Sequence, residues 1–245
     1  MKRIDLNADL GEGGPDDAAL MALVSSANIA CGGHAGNSDT MRTAIRLAMA
    51  AGVSIGAHPG YEDREHFGRR PLDLPSEQVR EMVENQLRNF HEIARADGAE
   101  VRHVKPHGAL YNQADRSPDL AAAVAEAAHS VFPEAALFGP PAGCLEAAAR
   151  TAGLEFVAEG FADRRYSPDG TLVPRSEADA VIEIPNEAVA QALEIARNSS
   201  VRTPNGSQIS LPARTLCVHG DGPASVTLLK SLRNALEAQG FSIAR

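Results

Sequence analysis

Eight ionisable residues of this chain stand close to points where an apolar run breaks at glycine or proline: Asp9, His34, His58, Lys105, His107, Asp163, His219 and Asp221. The clearest break is in residues 101–112, VRHVKPHGALYN, where Pro106 and Gly108 flank His107 and Lys105 comes just before. Proline removes a ladder donor and glycine permits unusual backbone angles, so a strand rarely runs through such a pair. One histidine in a loop is ordinary solvation. Four (His34, His58, His107 and His219), each beside Gly or Pro at a strand end, point to a shared site. Histidine with carboxylate binds a zinc- or manganese-like divalent ion, with His34, His58 and His107 as candidate ligands. The same groups serve as general acids and bases without any metal. Lys105 offers a positive charge to a developing oxyanion or, less naturally, an amine for a Schiff base. Cys31 lies near His34 and Cys217 near His219, but both thiols fall in apolar strands, where buried and inert cysteine is the commoner state. Cysteine catalysis is discounted on that ground.

The elements that must position these groups alternate between strand and helix. Residues 3–9, RIDLNAD, put Asp5, Asn7 and Asp9 on one face of a strand and Ile4, Leu6 and Ala8 on the other. The polar face of a buried strand needs partners, which places Asp9 at the inner carboxyl end. Glu12 follows in the loop. A short helix is expected over 15–24 and a strand over 27–31. A helix carrying Met41, Ala44, Ile45 and Ala48 comes next, capped by Ser38 or Asp39. A strand over 53–57 delivers His58. The long charged loop after it carries Arg69 and Arg70, which suit a carboxylate or phosphate as well as they suit solvent. Residues 76–97 form the clearest helix, with Val79, Val83, Leu87, Phe90 and Ile93 in one stripe and Ser76 as its cap. The strand before Lys105 gives way to a loop. Further strands are expected over 135–138, 155–158 and 215–218, and helices over 117–131, 145–152, 187–197 and from Pro223 to Gly240. Glu159, Asp163, Arg164 and Arg165 cluster after the sixth strand. Residues 171–185 are ambiguous between strand and irregular edge, and Asn205-Gly206 marks a hairpin turn.

Seven strands are convincing. Their alternation with helices predicts a parallel α/β fold, and a β/α barrel gathers strand carboxyl ends at one mouth. With 245 residues and 44% hydrophobic content, one barrel domain over 1–245 is the expectation. The formal net charge of −9 argues against nucleic acid or an anionic membrane as main partner. Three scattered cysteines suggest a reducing, cytoplasmic setting. There is no apolar run of membrane length and no secretory signal pattern. Neither a P-loop nor a dinucleotide fingerprint occurs.

The segments DLNADLGEG, SANIACGGHAG, GAHPGY with FGRR, VKPHGALYN, EGFADRRY with DGTLVPR, and CVHGD resemble the LamB/YcsF family, over nearly the whole chain. The resemblance implies a distorted seven-stranded barrel of the glycoside hydrolase/deacetylase type. It also implies the A subunit of an ATP-dependent 5-oxoprolinase, which cleaves 5-oxo-L-proline to L-glutamate with ATP as co-substrate and works with B and C subunits. On that reading Asp9 and His107, or a pair among His34, His58 and His219, move protons. Lys105 stabilises oxygen or phosphate charge, and Arg164 or Arg165 holds the substrate carboxylate. Asn7, Glu12, Asp163 and Asp221 complete the substrate-binding set. Two positions depart from the family pattern: Asn37 stands where aspartate is expected, and Gly222-Pro223-Ala224 where Thr-Pro-Gly is expected. Two other readings stay open. One is a stand-alone metal-dependent amidohydrolase or deacetylase; the other is a non-catalytic subunit that binds a small carboxylated ligand.

Overall fold

A computed structural model describes residues 2–219 and 225–243. Its strands are β1 (Lys2–Leu10), β2 (Ser26–Ala30), β3 (Ser54–His58), β4 (Val101–Val104), β5 (Ala136–Gly139), β6 (Phe156–Phe161), β7 (Ser200–Arg202), β8 (Gln208–Ser210), β9 (Thr215–Cys217) and β10 (Phe241–Ile243). β1 to β6 pair in parallel succession, β9 pairs with β6, and β9 also pairs with β1. That last pairing closes a seven-stranded parallel barrel. β10 joins the first residues of β1, with Lys2 opposite Phe241. The helices are α1 (Asp17–Met21), α2 (Ser38–Ala51), α3 (Ser76–Ala96), α4 (Gly108–Arg116), α5 (Pro118–Val131), α6 (Cys144–Ala152), α7 (Pro185–Asn198) and α8 (Ser225–Ala238). No helix among the described residues is long and apolar enough to cross a membrane.

The apolar faces of strands and helices meet outside the barrel. Leu6 and Ala8 point there and are fully buried, as are Val79, Val83, Leu87 and Phe90 on the α3 stripe. Each such Leu, Val or Phe contributes about 1.5–3 kcal/mol on leaving water. Caps settle differently from expectation. Asn37, not Ser38 or Asp39, caps α2: its Oδ1 accepts from the backbone N–H of Asp39 and of Thr40. Asparagine suits that task as well as aspartate does, so the departure at this position costs the helix little. Ser76 is the first residue of α3 rather than its cap, because Pro75 already holds the extended backbone of the N-cap.

Three details are settled by the structure. The strand before Lys105 gives way to a short loop over 105–107, as expected, but that loop leads at once into α4, a helix not expected there. Gly108, at φ +54, opens that helix because its backbone lies against Gly68, whose carbonyl accepts from Ala109. Residues 171–185 are the irregular edge rather than a strand: isolated bridges pair Arg164 with Val181 and Tyr166 with Leu172, and further backbone hydrogen bonds join the segment to Asp163, Arg165 and Ser167. α1 is also shorter than the helix expected there. The Asn205-Gly206 hairpin forms, joining β7 to β8.

The inside of the barrel is polar. A branched apolar filling is usual there, yet Asn7, Asn28, His103, Lys105, Glu159 and Thr215 are all buried within it. Asn7 Nδ2 donates to Glu159 Oε1 (2.9 Å) and Thr215 Oγ1 (2.7 Å), and Asn28 Nδ2 donates to Asn7 Oδ1 (2.7 Å) and Asp9 Oδ1 (2.8 Å). The His103 ring stacks on Phe138 and its Nε2 meets Asn28 Oδ1 at 2.8 Å. Burial, aided by the Lys105 charge, pushes the His103 pKa down to about 3, so the ring is neutral. Gly56 makes room for it, since a Cβ there would lie 2.0 Å from His103 Nε2. The ring is fixed on two sides and cannot yield. Gly56→Ala is therefore expected to lower stability by about 3 kcal/mol or more, in the range of severe overpacking. A denaturant midpoint equal to wild type would refute this.

Candidate active site

Asp9 closes the inner face of β1 at its carboxyl end and is buried. Above it, His58 is the last residue of β3, Lys105 and His107 lie between β4 and α4, and Asp163, Arg164 and His219 follow β6 and β9. Strand ends thus converge on one mouth. There they line a cavity of about 630 Å³, with Asp9, His58, Lys105, His107 and His219 among its walls. That volume lies within the usual range for small-molecule pockets. Arg69, Arg116, Arg164 and Arg175 line it too, giving an acidic protein a locally basic chamber.

Lys105 is the electrostatic centre. Its side chain is 2% exposed, and Nζ lies 3.0 Å from Asp9 Oδ1 and 2.9 Å from Glu159 Oε1. Asn7 Oδ1 at 3.3 Å and Cys217 Sγ at 3.2 Å complete its surroundings. Burial alone would lower the Lys105 pKa, but the anions beside it outweigh burial and raise it well above the ordinary value. The effect on Asp9 is the mirror image. Burial would raise its pKa, but His58 and Lys105 hold the carboxyl well below its usual range. Asp9 is thus an anion in a place where a lone carboxylate would be neutral. Cys217 is held protonated by burial, in keeping with an inert thiol.

Three histidines and Glu12 stand on one side of Asp9. His58 Nε2 is 3.3 Å from Asp9 Oδ2, while its Nδ1 meets the Lys105 carbonyl at 2.7 Å. His107 Nδ1 is 2.9 Å from His58 Nε2, and its Nε2 meets the Phe67 carbonyl at 2.9 Å. Phe67 holds that carbonyl in place from a left-handed backbone, φ 54, a strained conformation for a non-glycine residue. The His34 ring stacks on His107, 3.6 Å between centroids, and its Nε2 lies 3.0 Å from Glu12 Oε1. Burial lowers the pKa of both His34 and His107. On the other side, His219 Nδ1 is 3.0 Å from Asp163 Oδ1.

Some expected residues fall elsewhere. Arg165 turns away from the cavity and pairs with Glu187 at 2.8 Å, because neighbours in sequence point to opposite sides. Of the two arginines, Arg164 is the one that lines the cavity. Its guanidinium donates to the Ala180 and Val173 carbonyls, and burial with Arg175 nearby lowers its pKa to about 10. Arg70 pairs with Asp63 at 3.4 Å. Asn7 and Glu12 lie just behind the cavity wall, in the barrel network and the histidine cluster respectively. Asp221 and the 222–224 departure lie outside the described residues. Asn28, His103 and Glu159 went unassigned in the sequence. His103 is two residues before Lys105, on the same face of β4, and that period alone could have singled it out.

The LamB/YcsF family model matches residues 4–245. The chain belongs to the LamB/YcsF family. Within the LamB/YcsF fold, it is similar to a lactam utilization protein from Thermus thermophilus. The two share 39% identity over 99% of each chain, with a TM-score of 0.92. More distant structures share the fold alone. A deacetylase solved with substrate has 15% identity and a TM-score of 0.52, over 99% of this chain and 87% of that one. A β-1,4-mannanase has 11% identity and a TM-score of 0.52, over 97% and 100%. The LamB/YcsF resemblance read from the motifs is borne out, and so is the seven-stranded barrel.

Proposed function

We propose that this chain is the A subunit of an ATP-dependent 5-oxoprolinase, opening the ring of 5-oxo-L-proline to L-glutamate together with B and C subunits. The observation that carries the reading is Asp9, kept ionised at the cavity floor against His58 and below a ring of arginines. The likeness to a lactam utilization protein supports it.

The chemistry follows from the bond to be broken. A lactam C–N bond is stabilised by amide resonance, and carbonyl phosphorylation removes that stabilisation. The lactam oxygen takes the γ-phosphoryl group of ATP and ADP leaves. Asp9 and His58 take a proton from water as its oxygen adds to the ring carbon. The C–N bond then breaks, its electron pair going to nitrogen together with the proton that Asp9 and His58 took from the water. This leaves an acyl phosphate, which a second water converts to glutamate and phosphate. Arg164 and its neighbours hold carboxylate and phosphoryl charge. Lys105 is a positioning residue in this scheme: its donors are taken up by protein acceptors, and it sets the charge of Asp9.

The test is glutamate and phosphate release from 5-oxoproline and ATP, with this chain alone and with B and C subunits. Turnover is expected in the full mixture only. No turnover with B and C subunits that are competent with another A subunit would overturn the reading. It would favour a stand-alone, metal-dependent amide hydrolase, for which the cluster of Glu12 and three histidines speaks.

A further inference from the structure

The cavity is too large for the proposed substrate alone. 5-Oxoproline has nine non-hydrogen atoms. Granting each of them the share of volume that a water molecule takes in the liquid gives about 270 Å³. The cavity holds about 630 Å³. More than half of it is left for a second occupant, and the walls say where that occupant lies and what charge it carries.

The cavity follows α4 from end to end. Gly108, Ala109, Asn112, Gln113 and Arg116 line it, a spacing that keeps all five on one side of a helix. α4 has nine residues, so that side runs for about 13 Å. Gly108 adjoins His107 and the groups around Asp9, at the inner end. Arg116 marks the outer end. Residues 172–176 supply a second wall, tied down where Arg164 Nη2 donates to the Val173 carbonyl.

Three arginines from three segments meet in this long space: Arg69 after β3, Arg116 at the end of α4 and Arg175 in the second wall. In a chain of net charge −9 that gathering is not a sample of the average surface. Asp115 and Asp169 are close enough to feel the Arg116 charge, but Asp115 accepts from the Leu145 backbone and Asp169 from Thr171. Arg164 differs from these three. It is 5% exposed, and its Nε and Nη2 already donate to the Ala180 and Val173 carbonyls. Its remaining donors suit one compact group, the carboxylate of the lactam. A guanidinium matches phosphate oxygens as well as carboxylate, and several of them along an elongated space match a chain of phosphates. The sequence has no glycine-rich phosphate loop, so side chains must do here what backbone N–H groups do in such loops.

We infer that this chain itself holds the polyphosphate of the phosphoryl donor, in the outer part of the cavity, with Arg69, Arg116 and Arg175 as its contacts. The identity of the donor rests on the oxoprolinase reading, which the inference deepens: the nucleotide lies on the A subunit. Its terminal phosphoryl group points to the inner end, where the lactam oxygen receives it, and ADP leaves by the outer end.

Calorimetry on the full chain without partners tests this, with ADP, pyrophosphate and adenosine as probes. ADP and pyrophosphate should each bind at one site per chain, more weakly as salt rises. Adenosine should not bind measurably. Arg116→Ala should weaken ADP binding about ten- to a hundredfold, the usual worth of one charged hydrogen-bonding partner. Arg116 is exposed, so this variant keeps the fold. Arg150→Ala, at an exposed arginine on α6, should change nothing. In the mixture with B and C subunits, Arg116→Ala should raise KM for ATP by the same order and leave KM for 5-oxoproline as it is. No binding of ADP and pyrophosphate, adenosine binding as tightly as ADP, or an unchanged KM for ATP in Arg116→Ala overturns the proposal; normal turnover by the mixture then leaves the oxoprolinase reading intact. ADP binding that Arg116→Ala weakens, in a mixture that never turns over 5-oxoproline, does the reverse.

Discussion

Lys105→Met is expected to lower stability by about 3–5 kcal/mol, the range for removing one partner of a buried ion pair. It is also expected to abolish turnover. Both losses have one origin. The ammonium lies between Asp9 and Glu159, and methionine fills much of the space but carries no charge. Two carboxylates then face each other across the barrel without a cation, and the cheapest response is for one to take up a proton. If Asp9 does so, the base is gone. A fall of roughly 10²–10⁴ in turnover is the usual measure of losing a general base. Urea midpoints and product release by the reconstituted mixture check the two arms. Adding Glu159→Gln removes one stranded anion, so the double variant should recover part of the stability and none of the activity. Near-normal turnover in Lys105→Met would take this lysine out of the site.

Asp9→Asn should separate chemistry from folding. The amide matches the carboxylate in shape, and its oxygen can still accept from Asn28 Nδ2 and Lys105 Nζ, the donors that now meet Asp9 Oδ1. Lys105 keeps Glu159 as counter-charge. The fold should survive, while turnover drops by about 10²–10⁴, because a carboxamide cannot take a proton from water. Circular dichroism and a thermal midpoint near wild type would show that the loss is chemical. A variant that folds and turns over within a few-fold of wild type would assign the base elsewhere, with His58 the next candidate.

The frame was legible in the sequence because each barrel strand has a glycine or proline within three residues of its end. Apolar runs such as those ending in His34 and His58 reveal both the strand and the residue beyond it. α4 was hidden for the same reason. Pro106 and Gly108 read as breakers, and only the close pass of Gly68 turns them into a helix start. The partners of Lys105 were not legible at all. Asp9 and Glu159 lie 96 and 54 residues from it, the second separation being 159 minus 105, and local pattern says nothing of barrel neighbours. Arg164 and Arg165 show a smaller limit. Alternation says that adjacent side chains diverge, but not which of them turns inward.

The closing pair of strands has a consequence for biosynthesis. β1 carries Asp9 and meets β9 through Asp5 and Thr215, which stand 210 residues apart. A ribosome releases β1 some 210 residues before β9, so while those residues are made the first strand has one neighbour it cannot yet have met. Its inner face of Asp5, Asn7 and Asp9 keeps the waiting strand hydrated, where an apolar face would invite aggregation. Ring closure is non-local and late, and the base, its counter-ion and their cavity come into being together when it occurs. An incomplete chain therefore carries every one of these groups early on, and no working site.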